Sequence, residues 1–243
     1  RGFIESCSWI SPNSEIGLCD SAERADNPVQ MKPFVVQALV CFGLSVLQLD
    51  AAITLSDDGY HVYPGDNIQD ALQQAATNKT TKVVKVHAGE YRPSSKRQAL
   101  VWFNKSHDGI RLEAIGKVTL TAANSQLAQP SEPGFPAVVN HVVYFGDGVS
   151  SNTVLTGFRI TGANSFVTKY GTREMEPNRA ILKNHFFYSD GGGIKVFGRS
   201  YPTIQNIEVV DNFTSPCGAG ISVQQQGFKQ DSVLIENCVF LMN

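Results

Sequence analysis

Gly192-Gly193-Ile194-Lys195-Val196 and, 27 residues further on, Ala219-Gly220-Ile221-Ser222-Val223 are two copies of one unit. In each, two small residues precede an Ile-x-Val strand. A second pair runs in the same direction. Ile204-Gln205-Asn206-Ile207, closing at Asn212, is repeated 31 residues later as Ile235-Glu236-Asn237-Cys238, closing at Asn243. Self-similarity at a period of this size is the signature of a stacked repeat, in which each unit buries its apolar face only against its neighbours. Side chains alternate along a strand. Placing Ile194, Val196, Ile221 and Val223 inward therefore turns Lys195, Phe197 and Ser222 outward, and stacking would make Lys195 and Ser222 neighbours. Glu208 points outward on a different face. The matched Asn residues stand where turns tolerate left-handed backbone and can hydrogen-bond along the stack.

Working outward, the same grammar of short strands and turn residues continues upstream. Strands are expected at 110–112, 118–120, 141–145, 153–155, 158–161, 194–197, 204–210, 221–223 and 233–240, bounded by Gly146-Asp147-Gly148, Gly157, Gly191-Gly192-Gly193 and Pro202. Before them, a strand over 53–63 turns at Asp57-Asp58-Gly59, and one over 82–87 runs into a turn at Gly89-Glu90-Tyr91. Between these two lies a helix signal. Pro64-Gly65-Asp66 breaks the strand, Asn67 caps, and Asp70 sits near the positive end. Ile68, Leu72, Ala75 and Ala76 recur at helical spacing over 67–77.

This order of amphipathic helix, short strand and glycine-punctuated repeats resembles the right-handed parallel β-helix of the pectate lyase-like superfamily, over about 60–243. The resemblance implies an all-β solenoid with a short N-terminal capping helix, because an open end would expose apolar interior and unpaired edges. No such cap is visible at Leu241-Met242-Asn243, so the β-helix domain, 53–243, is expected to be truncated at its C-terminus.

The first 52 residues read differently. Met31 and Lys32 precede a mostly apolar run over 34–49, with a small-residue exit at Ala51-Ala52. This is the pattern of a signal peptide over 31–52, a membrane anchor or a buried helix being the alternatives. Residues 1–30 read as a non-native or disordered leader. On that reading the protein is secreted, extracellular or periplasmic, with no membrane span in the mature chain. Cys217 and Cys238 remain, either bonded to each other or with Cys238 filling an inward slot like Ile207.

Composition bounds the partners. The 243 residues carry a formal charge of −2. Residues 53–243 hold 17 Lys and Arg against 16 Asp and Glu. There is no global basic field to hold nucleic acid. A polysaccharide or cell-surface glycan is the expected partner, engaged by a monomer.

The scaffold hosts lyases, hydrolases and non-enzymatic adhesins. Related lyases perform β-elimination on uronic acids, a cation such as Ca²⁺ acidifying the C–H and a Lys or Arg taking its proton. Carried onto this sequence, Lys195, Arg199 and Lys183 are base candidates. Arg173, Arg179, Tyr170 and His185, mostly in the long insertion over 162–182, are substrate-binding candidates. Asp190, Asp211 and Glu174 are oxygen ligands for Ca²⁺. Lys195 with Asp190 is the expected centre of a lyase groove. His141 is read as a structural residue in an apolar strand. The Gly-His-Gly and Asn-Thr-Asp signatures of polygalacturonases and the Trp-Ile-Asp-His segment of classical pectate lyases are absent. A polysaccharide lyase acting on acidic glycans, a non-catalytic glycan-binding β-helix and a glycoside hydrolase therefore all stay open.

Overall fold

The computed structural model describes residues 53–164, 190–214, 218–225 and 231–243. They fold as an all-β unit with one α-helix. The strands are β1 (Thr54–Ser56), β2 (Gly59–Val62), β3 (Val83–Tyr91), β4 (Arg97–Phe103), β5 (Arg111–Thr121), β6 (Val139–Phe145), β7 (Val154–Thr161), β8 (Ile194–Gly198), β9 (Thr203–Gln205), β10 (Glu208–Val210), β11 (Ile221–Gln225), β12 (Leu234–Glu236) and β13 (Val239–Leu241). Helix α1 (Ile68–Thr77) follows β2. Among the described residues these strands make a nine-stranded sheet and a four-stranded sheet, the latter in the order β11-β8-β6-β4. The β1–β2 hairpin is antiparallel, and every other pairing between strands is parallel.

The repeat read from the sequence is a register in space. Ile221 pairs with Ile194, Ser222 with Lys195 and Val223 with Val196. Gly193 explains the small residues before each copy: a Cβ there would come within 2.5 Å of the Gly220 carbonyl. Apolar columns run through the layers. Val84, Leu112, Leu155, Ile204 and Ile235 form one, and Val101, Val143, Ile194 and Ile221 another. Phe103 and Phe145 stack at 4.8 Å. Each inner layer is thus sealed by the next, which is where the burial free energy of such a fold arises.

The expected single strands over 204–210 and 233–240 are each two, bent at Asn206 (φ 56°) and Asn237 (φ 52°). These two Asn residues occupy the same corner as Gly157 (φ 88°) one layer earlier, where a Cβ would press on Ala114 at 3.2 Å. The second Asn pair is a ladder, with Asn212 Nδ2 donating to Asn243 Oδ1 at 2.9 Å and to the Ile160 carbonyl at 3.2 Å. Other expectations fail too: the strands expected at 110–112 and 118–120 are one, β5, and those at 153–155 and 158–161 are one, β7. Gly89-Glu90-Tyr91 is not a turn: β3 runs through it, absorbing Gly89 as a shift in its pairing with β5. And β4, apolar on both faces after Gln98, was not anticipated although Pro93-Ser94-Ser95 and Asn104 flank it.

Helix α1 forms where expected. Asn67 accepts from the Gln69 amide at 3.0 Å, and Lys82 donates to the Ala75 and Ala76 carbonyls at its C-terminal end. Ile68, Ala71, Leu72 and Ala75 are buried. The helix also covers an edge. Gln69 donates to the Trp102 carbonyl at 3.1 Å and accepts from the Trp102 amide at 3.0 Å, satisfying part of the outer strand of the four-stranded sheet. No helix among the described residues is long and apolar enough to cross a membrane.

Candidate functional site

Strands β4, β6 and β8 place a second apolar cluster, Ala99, Trp102, Tyr144 and Phe197, apart from the main core. On the same side of the sheet lies an unusual run of buried polar groups. Lys195 points away from Ile194 and Val196 by strand alternation, yet it is fully buried. Its Nζ donates to both oxygens of Asp190 at 2.6 Å and to Gln224 Oε1 at 3.0 Å. Asp190 is equally enclosed, and its Oδ2 also accepts from Ser222 Oγ at 2.6 Å and Gln224 Nε2 at 3.0 Å. The Phe197 ring lies 5.8 Å from the ammonium. The structure brings Lys195, Asp190 and Ser222, which the sequence placed side by side, into one buried hydrogen-bonded network.

The network continues through His141. Its Nδ1 lies 2.9 Å from the Gly191 carbonyl, so that nitrogen carries the proton, and Nε2 accepts from the Gln98 amide at 3.0 Å. Gln98 in turn accepts from Asn140 Nδ2 at 3.1 Å. Burial, reinforced by the nearby Lys195 charge, pushes His141 down to about 4, so the ring is neutral near pH 7. Asn140 Oδ1 is buried with no hydrogen-bond partner among the described residues. Gln98, Asn140 and Gln224 were not singled out from sequence. They come from three different strands, and only the register reveals that they converge.

This arrangement restricts the chemistry. Both oxygens of Asp190 grip the Lys195 ammonium, so displacing either partner would leave the other uncompensated in a dry site. Asp190, accepting four hydrogen bonds, has little capacity left for a cation. Arg199 stands exposed at the turn ending β8, its amide donating to Asp147 Oδ1 at 2.7 Å. Asp211 is exposed in the left-handed turn after β10. Neither is joined to Asp190 or Lys195 among the described residues. Lys183, Arg173, Arg179, Tyr170, His185 and Glu174 lie outside the described residues, as does Cys217. Cys238 is a free thiol packed against the core in the slot matching Ile207. Among the described residues no three His, Cys, Asp or Glu side chains converge as a metal site.

The open feature lies at the outer edge of the same sheet. A cleft of about 250 Å³ sits at the N-terminal end of α1, lined by Asp66, Glu90, Tyr91, Arg92, Ser94 and Arg97 among others. Arg92 pairs with Glu90 at 2.5 Å. Arg97 bonds Ser95 Oγ at 2.8 Å and lies 5.6 Å from the centre of the Trp102 ring, so it links the cleft to the aromatic cluster. Burial and the neighbouring Asp66 push the Tyr91 phenol up to about 12, and its hydroxyl donates to backbone carbonyls of Val62 and His87. The cleft was missed from sequence because Arg97 belongs to the unanticipated β4.

Comparison with known proteins places part of this chain. Residues 139–243, less than half its length, match a family model described as a right-handed β-helix region. No curated protein and no solved structure matches. The strands that contribute Lys195, Ser222, Gln224 and His141 thus fall within a segment similar to right-handed β-helix regions.

Proposed function

We propose that the described strands form one right-handed parallel β-helix, and that the protein is a secreted carbohydrate-active member of that class that binds an acidic glycan. The observation that carries the binding reading is the cleft beside α1. It is smaller than drug-sized pockets and suits about one sugar ring. It offers guanidinium donors in Arg92 and Arg97, carboxylate acceptors in Asp66 and Glu90, and a hydroxyl in Ser94. Bidentate guanidinium contacts favour carboxylates over neutral groups. Because Lys195 is sealed against Asp190, binding without turnover fits the described residues better than catalysis. Titration with uronate-containing oligosaccharides tests this. Binding should weaken about tenfold or more in Arg92→Ala or Arg97→Ala, the order of a lost charge-assisted hydrogen bond. Unchanged affinity in both variants would refute the cleft.

A second reading is a polysaccharide lyase acting by β-elimination. The juxtaposition of Lys195, Asp190 and Ser222 on one side of one sheet favours it. Lys195 would first have to pass a proton to Asp190 and then take the substrate C–H proton as the C=C bond forms and the glycosidic C–O bond breaks, the leaving oxygen being protonated by solvent; Ca²⁺ would be bound by oxygen ligands such as Asp211 and Glu174. Unsaturated products absorbing in the ultraviolet, formed from an acidic polysaccharide and abolished by chelation or by Lys195→Met, would establish this activity in place of simple binding.

A further inference from the structure

The N-terminal strands of the nine-stranded sheet carry a pair of imidazoles that neither reading uses. His61 on β2 and His87 on β3 face each other, His61 Nδ1 lying 2.8 Å from His87 Nε2. Both rings are held in place. His61 Nε2 is 2.9 Å from Asp58 Oδ1, and a carboxylate can only accept. The His61 proton therefore sits on Nε2, and the Nδ1 lone pair faces the partner ring. Ser56 Oγ lies 2.9 Å from the same Nε2 and donates to Asp58 at 2.5 Å, tying the carboxylate down. His87 is stacked on Tyr63, centroids 4.2 Å apart and 8° from parallel. Lys85 pairs with the other oxygen of Asp58 and reaches Glu113 at 3.9 Å, so the surrounding charges are balanced.

We infer that His61 and His87 form a two-imidazole chelate for a borderline divalent transition metal such as Zn²⁺, completed by solvent. Zinc–nitrogen bonds of about 2.0–2.1 Å, meeting at angles between square and tetrahedral, separate two donor nitrogens by about 2.9–3.4 Å. The pair needs to open by a few tenths of an ångström, the two stacked rings, 25° from parallel, need to turn so that both lone pairs converge on the metal, and the His87 proton needs to move from Nε2 to Nδ1. A carboxylate on the distal nitrogen of a ligating His is the usual outer support of such a site, fixing the tautomer and raising donor strength. Imidazole donors select Zn²⁺, Cu²⁺ or Ni²⁺ over Ca²⁺ or Mg²⁺. With two protein ligands the metal would be exchangeable, cross-linking β2 to β3 beside the β1–β2 hairpin.

Calorimetric titration of the full chain with ZnCl₂ near pH 7.5, alongside thermal unfolding with and without the metal, tests the site. One equivalent should bind, and Zn²⁺ should raise the melting temperature. His61→Ala and His87→Ala should each lower affinity at least about tenfold and abolish the thermal shift. Asp58→Asn should weaken binding about tenfold or more. Should an alanine variant fail to fold without metal, His87→Gln provides the same comparison with the ring volume better preserved. Absence of binding up to millimolar Zn²⁺, binding unchanged in both His variants, or binding lost only in His185→Gln would each overturn the assignment.

Discussion

Lys195 and Asp190 on the four-stranded sheet are both 0% exposed, whereas Arg159 and Glu208, an equally close pair on β7 and β10 of the nine-stranded sheet, keep 35% and 42% of their side-chain surface. The same chemistry does different work in the two places. Exposed ions retain most of their hydration, gain little from pairing and are screened by salt. The buried ions have given up their water, so each holds the other in place and neither can be removed alone. Two residues of opposite charge on one sheet face can therefore mark a solvated surface or a locked polar centre. Burial and the number of satisfied bonds decide which. By that test, the four-stranded sheet carries a locked centre and this pair on the nine-stranded sheet a solvated surface.

The largest effect that could break this contrast lies at Lys195. Lys195→Ala leaves the Asp190 charge unpaired, and a cost of about 3–5 kcal/mol is expected in urea unfolding. The double variant Lys195→Met/Asp190→Leu should recover a substantial part of it. A Lys195→Ala cost below about 1 kcal/mol would mean the pair is hydrated.

Next comes pH. His141 in this network and His107 after β4 are both buried and held at about 4, against 6.5 for a free imidazole, His107 by burial and the nearby Lys82. Between those values the unfolded chain binds more protons than the folded one, so stability should be unaffected above pH 6.5 and fall as pH drops toward 4. The loss should be of the order of 3 kcal/mol for each His. Chemical denaturation at pH 7 and pH 4.5 reads the difference, and His141→Gln should flatten part of the slope. A slope that persists in full would place the titration elsewhere.

A smaller effect tests the corner of the nine-stranded sheet. Asn206→Ala forces a residue with a Cβ and no local hydrogen bond into left-handed backbone and should cost about 1–2 kcal/mol, while Asn206→Gly should be nearly neutral. At the bottom of the scale, Arg159→Ala should cost no more than about 1 kcal/mol, and less at high salt. A larger cost there would erase the distinction between the two sheets.

Some of this was legible before any coordinates. The Ile194 and Ile221 register, the Lys195–Ser222 neighbourhood and the Asn ladder follow from period and strand alternation, which are local properties of the chain. The capping helix was legible for the same reason. What escaped was set by register between layers spaced differently from the later copies. Arg97-Gln98-Ala99-Leu100-Val101-Trp102-Phe103 does have a counterpart, ending in Val143-Tyr144-Phe145 with which it pairs, but 42 residues on and so outside the 27- and 31-residue spacings of the later copies, and β4 was overlooked. With it went Gln98, Arg97 and the cleft. The state of Lys195 was also unreadable. An outward-facing Lys is ordinarily solvated, and nothing in Ile194-Lys195-Val196 signals that Asp190 and Gln224 will enclose it.

The corner shared by Gly157, Asn206 and Asn237 has one more implication. At Asn206 and Asn237 the strands on either side belong to separate ladders, β9 with β12 and β10 with β13, and at Gly157 both ladders meet on β7. The corner residue is a common joint, and a twist of one peptide unit there would misalign hydrogen bonds on two flanks at once. Damage at the joint should therefore spread along the stacking axis, loosening adjoining layers together, whereas a fault within one strand would be confined to its own ladder.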